Sequence, residues 1–336
     1  MTVLDADSLA KRIDDDGSPA VIIAEAGSNH DGSLDRAREL VDAAAYAGCD
    51  AIKFQLFSAE ELVSKEHPAV EILRSVEFPR SWTHDLADYA QQRGIAFCAS
   101  PFDAEAIDML ASAGVPFLKI ASPEIHDLPL IRHAASTGLP LVISTGMATV
   151  AEAQIALEAA REKGAKDVCM LHCVSLYPTQ LEHVNLRMMP DLAAHLSIPV
   201  GLSDHSQSKT VPAAAVALGA RVIEKHFTLS RDLQGPDHGY AMEPGELAET
   251  VSAIREVESA LGSPVKQPLY DVEDISLNNK AYVSATDIPA GSEITEAILK
   301  VKRVPGGIRP SAADTLIGRV ARTAIPADTV ITPDMI

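Results

Sequence analysis

The sequence predicts a TIM (β/α)8 barrel followed by a small β-rich module, and three observations carry that expectation. Short apolar runs alternate with amphipathic helical stretches eight times between residues 21 and 261, the unit count and length of a closed parallel barrel. Polar side chains recur at or just past the C-terminal end of nearly every apolar run, the face on which barrel enzymes carry their chemistry. After Pro264 the alternation stops. A doubly wound open sheet is the alternative, but it wants a glycine-rich phosphate loop after the first strand, where Gly27 stands alone.

Taken in order, residues 21–25 read as the first strand, and 34–47 as a helix with Ser33 as N-cap and Gly48 at its end. Strands are expected over 51–55, 95–99, 117–120, 140–144, 167–173, 199–202 and 221–226, each a short apolar run bounded by turn residues. Helices are expected over 82–92, 104–113, 130–136, 150–163, 186–195, 211–218 and 246–261, several stopped by a glycine. The barrel is expected over 1–265 and a polar linker over 266–279. The last module, 280–336, holds a weak repeat in which Asp287-Ile-Pro-Ala-Gly-Ser-Glu-Ile-Thr295 echoes Ala324-Ile-Pro-Ala-Asp-Thr-Val-Ile-Thr332. Each half reads as strand, proline turn, strand. A cationic turn at Lys302, Arg303 and Pro305 lies between the halves, and so small a module is expected to lean on another surface.

Composition bounds the function. A hydrophobic content of 47% with 4% aromatics implies an aliphatic core, and the net charge of −19 argues against nucleic acid or an anionic membrane as partner. An anionic substrate must then be captured by a few local cations and backbone donors. The four cysteines make no disulfide framework. Cys169 and Cys173 alternate with Leu171 on one face of a strand and read as buried thiols, whereas His172 faces the other way. Residues 1–18 are polar with three consecutive aspartates, unlike a signal peptide, and the longest apolar runs are too short to span a bilayer. A cytoplasmic protein is expected.

The stretch with the most chemistry is 201–237. It brings His205 and His226 to the ends of two successive strands, with Ser203, Glu224, Lys225 and Asp237 nearby. In a parallel barrel both imidazoles would face one bowl and could share a divalent ion; otherwise they are two satisfied loop histidines. Glu25, Lys53, Gln55, Ser100, Lys119, Ser122, Glu124, Ser144, Thr145 and Tyr177 stand at equivalent strand ends.

The ordered motifs IIAEAGSNHDGS, AIKFQ, FLKIASPE, ISTGMAT, LYPT, NLRMM, GLSDHS, IEKHFTL and GPDH resemble those of the N-acetylneuraminate (sialic acid) synthase family, the phosphoenolpyruvate-condensing nonulosonic acid synthases. The module after the barrel resembles the antifreeze-like (SAF) domain. The resemblance covers nearly the whole chain and implies condensation of phosphoenolpyruvate with an N-acetylated hexosamine such as N-acetylmannosamine, releasing phosphate. It implies that Lys53, Gln55, Ser100, Lys119, Ser122, Ser144 and Ser203 help bind substrate, that Glu25 and Glu124 handle protons, and that His205 and His226 hold Mn²⁺ or Mg²⁺. Asp237 and Tyr177 would meet the sugar. Arg303, with Arg309 as the alternative, would reach across a homodimer to the partner's site and hold the N-acyl group. Pro123 in SPEIHDLPLI leans toward pseudaminic and spore-coat relatives and His238 toward legionaminic or neuraminic ones, so a 2,4-diacetamido-dideoxy hexose is an alternative acceptor. Two further readings are a phosphorylated-sugar acceptor, for which a second cationic cluster is wanting, and a non-catalytic polysaccharide-associated relative.

Overall fold

The computed structural model describes residues 3–266 and 277–336, and the chain divides into two compact units, Met1–Gly262 and Ser263–Ile336. Most of the expected linker lies outside the described residues.

The first unit is the expected barrel. Its strands are β1 (Val21–Gly27), β2 (Ala51–Leu56), β3 (Ala96–Pro101), β4 (Leu118–Ile120), β5 (Leu141–Ser144), β6 (Val168–Cys173), β7 (Val200–Asp204) and β8 (Val222–His226). They pair in parallel in the order β3-β2-β1-β8-β7-β6-β5-β4, and β4 comes back beside β3. Seven crossovers join the strands and a last helix follows β8. The helices include α2 (Leu34–Tyr46), α5 (Thr83–Gln92), α6 (Ala104–Ser112), α7 (Leu128–Ser136), α8 (Val150–Glu162), α9 (Met188–Leu196), α10 (Val211–Ala217) and α11 (Pro244–Leu261), while the excursion after β2 adds the short α3 (Ala59–Leu62) and α4 (Val70–Ser75). Ser33 caps α2 as expected, accepting from the Arg36 N–H, and Gly48 takes φ +83° just beyond that helix, a conformation that costs a residue without Cβ little.

Successive strand residues face opposite sides, and this period sorts the sequence into layers. Outward residues such as Ile22, Ile52, Phe54 and Ile143 pack beneath the helices. Inward residues change character from bottom to top. Val21, Ile23, Ala51, Cys98, Phe117, Val142, Cys169, Leu171 and Val222 form an apolar lower plug, and above it come Glu25, Lys53, Ser100, Lys119, Ser144, Ser203 and Glu224, all buried.

Within the polar stretch 1–18, to which the sequence reading assigned no element, Ala6–Asp14 forms a helix, α1. Asp5 and Ser8 make a reciprocal capping box with bonds of 2.8 and 2.9 Å, satisfying two otherwise orphan donors. Leu9 and Ile13, one turn apart, join Leu4 in the lower apolar plug. Arg12 fixes the helix by pairing at 2.6 Å with Asp50, which Arg255 of α11 also holds at 3.1 Å. The acidic run that hides this helix begins only at its last residue.

Gly201 faces inward on β7, where a Cβ would collide with the Val222 carbonyl and lie 2.7 Å from Leu171 Cδ2. Gly201→Ala is therefore expected to lower the urea midpoint at unchanged m-value, by about 1–3 kcal/mol or more. Gly245→Ala, with nothing within 4 Å of the added methyl, is the control expected to be neutral.

The second unit carries an antiparallel pair, β9 (Lys280–Ser284) with β10 (Leu299–Arg303), over a core that includes Ile294, Leu316, Ile325 and Ile331. The repeat halves do not each build a hairpin. They pair with one another, Ile288 and Ile325 exchanging N–H···O bonds of 2.8 Å as an isolated bridge. Pro289 and Pro326 follow those two residues and have no N–H to extend a ladder. Among the described residues no helix is long and apolar enough to cross a membrane.

Candidate active site

At the C-terminal mouth of the barrel lies a cavity of about 190 Å³ lined by polar residues from seven of the eight strands or the loops that follow them, Glu25, Lys53, Lys119, Ser144, Tyr177, His205 and Glu224 among them. Two ammonium groups form its floor. Lys53 Nζ is 2.8 Å from Glu25 Oε2 and 3.6 Å from Glu224 Oε2, and donates to Ser100 Oγ at 3.0 Å. Lys119 Nζ donates to Ser144 Oγ at 2.7 Å and to the Ile120 carbonyl at 3.0 Å, and stands 3.8 Å from Glu224 Oε1. Ser203 Oγ donates to the same Glu224 oxygen at 2.8 Å, and Gln55 Nε2 to Glu25 Oε1 at 2.9 Å.

Two cations and two carboxylates thus face one another with side chains 4% exposed or less, although Glu25 Oε2 and Glu224 Oε2 accept no hydrogen bond. Burial raises the Glu25 carboxyl well above its ordinary range, with the Glu224 charge adding to the effect and Lys53 opposing it. Glu224 goes the other way: burial would raise it, but Lys119, Lys53 and the Ser203 hydroxyl hold it below. Burial is the largest influence on Lys53 and would lower it, yet Glu224 and Glu25 leave it raised; for Lys119 burial prevails and the pKa falls. An incoming anion with several acceptor oxygens would find two ammoniums and the hydroxyls of Ser122, Ser144 and Ser203 around one space.

The two histidines share this mouth, ring centroids 5.0 Å apart. His205 Nδ1 lies 2.8 Å from the Val174 carbonyl, which can only accept, so Nδ1 carries the proton and Nε2 is left as a ligand atom. His226 Nδ1 lies 3.4 Å from Tyr240 Oη. Burial, together with the nearby His205, Lys53, Lys225 and Lys119 charges, depresses the His226 pKa and keeps it neutral, the form a metal needs. Among the described residues no group of three or more His, Cys, Asp or Glu side chains makes a ready-made metal cluster. Two imidazoles, each with Nδ1 engaged, therefore fit an open and weakly held divalent ion whose remaining positions go to water and substrate oxygens.

Above the histidines stands an aromatic wall. Tyr177 lies 4.2 Å from His205 and 5.3 Å from Tyr240 between ring centroids. Asp237 accepts from Ser28 Oγ and from Tyr240 Oη, both at 2.9 Å. Behind the histidines, Asp204 and Lys225 form an outward-facing ion pair of 2.6 Å that is 2% exposed on both sides.

The structure thus brings Glu25, Lys53, Gln55, Lys119, Ser122, Ser144, Tyr177, Ser203, His205 and His226 around one cavity. Ser100 supports Lys53 from below, and Asp237 stands beside Tyr240 next to the wall. Glu124 occupies the Pro123–His126 turn after β4; its carboxyl is raised by burial and its Oε2 has no hydrogen-bond partner, but it is not among the lining side chains. Thr145 spends its hydroxyl on the Leu171 carbonyl. Arg303 ends β10 in the second unit and is exposed.

Three lining or neighbouring groups were given no site role from the sequence, although Glu224 was noted near the histidines. Glu224 joins the lysines, and its signal was its place two residues before His226, on the same strand face. Cys173 lies on the same strand face as Cys169 and Leu171, and its thiol lies 3.8 Å from His205 Nδ1 and 3.5 Å from Ser122 Oγ. Tyr240 sits on a short turn after β8, with no periodicity to mark it.

The sequence is similar to known proteins along most of its length. The profile of the NeuB family matches residues 40–266 and that of the SAF domain residues 279–336. The chain is 38% identical to the N,N'-diacetyllegionaminic acid synthase of Legionella pneumophila, over 92% of each chain. It is 35% identical to the human N-acetylneuraminate-9-phosphate synthase, over 95% of this chain and 93% of the other. The crystal structure of the N-acetylneuraminic acid (sialic acid) synthetase from Leptospira borgpetersenii, in complex with citrate, superposes with a TM-score of 0.73 at 37% identity, covering 77% of this chain and 90% of that one.

Proposed function

This chain belongs to the NeuB family, and on that premise we propose that it is a nonulosonic acid synthase, joining phosphoenolpyruvate to the open-chain aldehyde of an N-acylated hexose such as N-acetylmannosamine. The observation that carries the reading is the pair of buried ammonium groups, Lys53 and Lys119, set among serine hydroxyls beside two histidines.

In this reading the ammoniums and the hydroxyls of Ser122, Ser144 and Ser203 hold the carboxylate and phosphate of phosphoenolpyruvate. The substrate's negative charge replaces Glu25 and Glu224 as their counter-ion. The methylene carbon attacks the aldehyde carbon, water adds at the carbon bearing phosphate, and the C–O bond to phosphate breaks. One aldehyde, one enol phosphate and one water thus become a 2-keto acid and inorganic phosphate. Glu25, whose pKa burial has raised, takes the proton of the attacking water, and that proton balances the one gained by the former aldehyde oxygen. Glu124 is a second proton carrier in this reading. A divalent ion, Mn²⁺ or Mg²⁺, held by His205 and His226 would polarise the aldehyde. Tyr177 and Asp237 face the sugar, and Arg303 from the partner's second unit closes the site on the N-acyl group in a cytoplasmic homodimer.

The likeness to a legionaminic acid synthase across 92% of the chain supports 2,4-diacetamido-dideoxy hexoses as a second class of acceptor. The test incubates the protein with phosphoenolpyruvate, Mn²⁺ and a panel of N-acetylmannosamine, its 6-phosphate and 2,4-diacetamido hexoses. Phosphate release matched by a 2-keto acid of mass equal to acceptor plus pyruvate is expected with at least one member. No turnover with any of them, in folded and metal-loaded protein, would overturn the reading.

A further inference from the structure

Tyr240 takes no part in the mechanism above, yet its hydroxyl touches two groups that do. It donates to Asp237 Oδ1 at 2.9 Å and lies 3.4 Å from His226 Nδ1. Its ring packs on His226 at 5.4 Å and on Tyr177 at 5.3 Å between centroids. A phenol has one proton to give. Because the carboxylate of Asp237 can only accept, that proton goes to Asp237, and the hydroxyl can meet His226 only as an acceptor. His226 Nδ1 must then bear its hydrogen, which leaves the lone pair on Nε2. The other carboxylate oxygen, Asp237 Oδ2, is held by Ser28 Oγ at 2.9 Å, so the acceptor end of this chain is itself fixed. His205 obtains the same result from a backbone carbonyl; among the described residues His226 Nδ1 meets Tyr240 Oη instead.

We propose that Tyr240 is a positioning residue that relays from Asp237 to His226, fixing the imidazole in the tautomer that presents Nε2 to a divalent ion while holding the Asp237 carboxylate ready for the acceptor sugar. This rests on the functional reading above for the roles of His226 and Asp237, and it adds a physical link between the metal side of the site and the sugar side. Neighbours that orient a ligating histidine typically contribute 10–100-fold to metal affinity or activity.

The test compares full-length wild type with Tyr240→Phe, which keeps the ring and removes only the hydroxyl. The readouts are the Kd for Mn²⁺ without substrates, followed by electron paramagnetic resonance, and the KM for each substrate at saturating Mn²⁺. The expected result is a 10–100-fold weaker Mn²⁺ affinity, a raised KM for the acceptor, and a KM for phosphoenolpyruvate within about twofold of wild type. A purely packing role for Tyr240 would leave all three unchanged, because the ring remains. Should Tyr240→Phe not fold, Asp237→Asn replaces it: an amide can donate to the phenol oxygen and free its proton for Nδ1, so Mn²⁺ affinity is again expected to fall. Wild-type and variant affinities within twofold of each other would overturn the proposal and leave the functional reading standing. A wild-type protein that binds no Mn²⁺ and turns over undiminished in chelator would overturn the metal part of that reading, and the proposal with it.

Discussion

Lys53→Met is expected to lose nearly all turnover, with kcat/KM for phosphoenolpyruvate falling by about 2–5 kcal/mol of transition-state binding, or some thirty- to several-thousand-fold. The reason lies in what the ammonium holds together. Lys53 stands 2.8 Å from Glu25 and 3.6 Å from Glu224, all three side chains 4% exposed or less. Removing the cation leaves two carboxylates facing each other away from water, and losing one partner of such a buried set costs roughly 3–5 kcal/mol of stability. The sign of its pH dependence follows from Glu25, whose folded pKa is already raised by burial. Below that pKa Glu25 is protonated and needs no cation, so the destabilisation is smaller. It grows as pH rises through the Glu25 ionisation. Urea unfolding of wild type and variant at pH 5 and pH 8 measures it, and an equal difference at both values would show that Lys53 does not offset this charge pair.

Glu25→Gln is expected to leave phosphoenolpyruvate binding near wild type and to lower kcat by about 10²–10⁴-fold, the usual worth of a positioned general base. Gln keeps the shape and can still bond Gln55, but it cannot take a proton from water. For the wild type the acid limb of kcat/KM should lie well above the ordinary glutamate range near 4.3, because burial raises the Glu25 carboxyl. In Glu25→Gln that limb should disappear. An unaltered limb would move the base to another residue, with Glu124, also raised by burial, as the next to replace.

The barrel was legible because its signals are local and repeated. Apolar runs of strand length, Ser33 before α2 and Gly48 after it are each visible in a window of a few residues. The site was legible in outline because a parallel barrel sends every strand's last polar residue to one mouth, so Lys53, Lys119, Ser144, Ser203 and His226 could be placed together without coordinates. What stayed hidden depends on pairing across sequence distance. Glu224 reads as a charge among others until Lys53 and Lys119 come within 4 Å of it. Tyr240 has no meaning until the turn after β8 brings it to Asp237 and His226. Helix α1 was missed because the Asp14 to Asp16 run dominates the composition of a segment whose buried face is only Leu9 and Ile13. The repeat of the second unit was read correctly as a repeat and wrongly as two hairpins, since Pro289 and Pro326 confine its pairing to single bridges.

Helix α1 has one more effect. With Leu4, Leu9 and Ile13 packed against the inward residues at the foot of the strands, the barrel is plugged at that end, while Tyr177 stands half exposed at the mouth. The lysines lie at the floor of the cavity and Tyr177 lines the same space. In the proposed reaction a small anion seated at the lysines would lie beneath any larger molecule lodged at the tyrosines, so the enol phosphate would be expected to bind before the sugar.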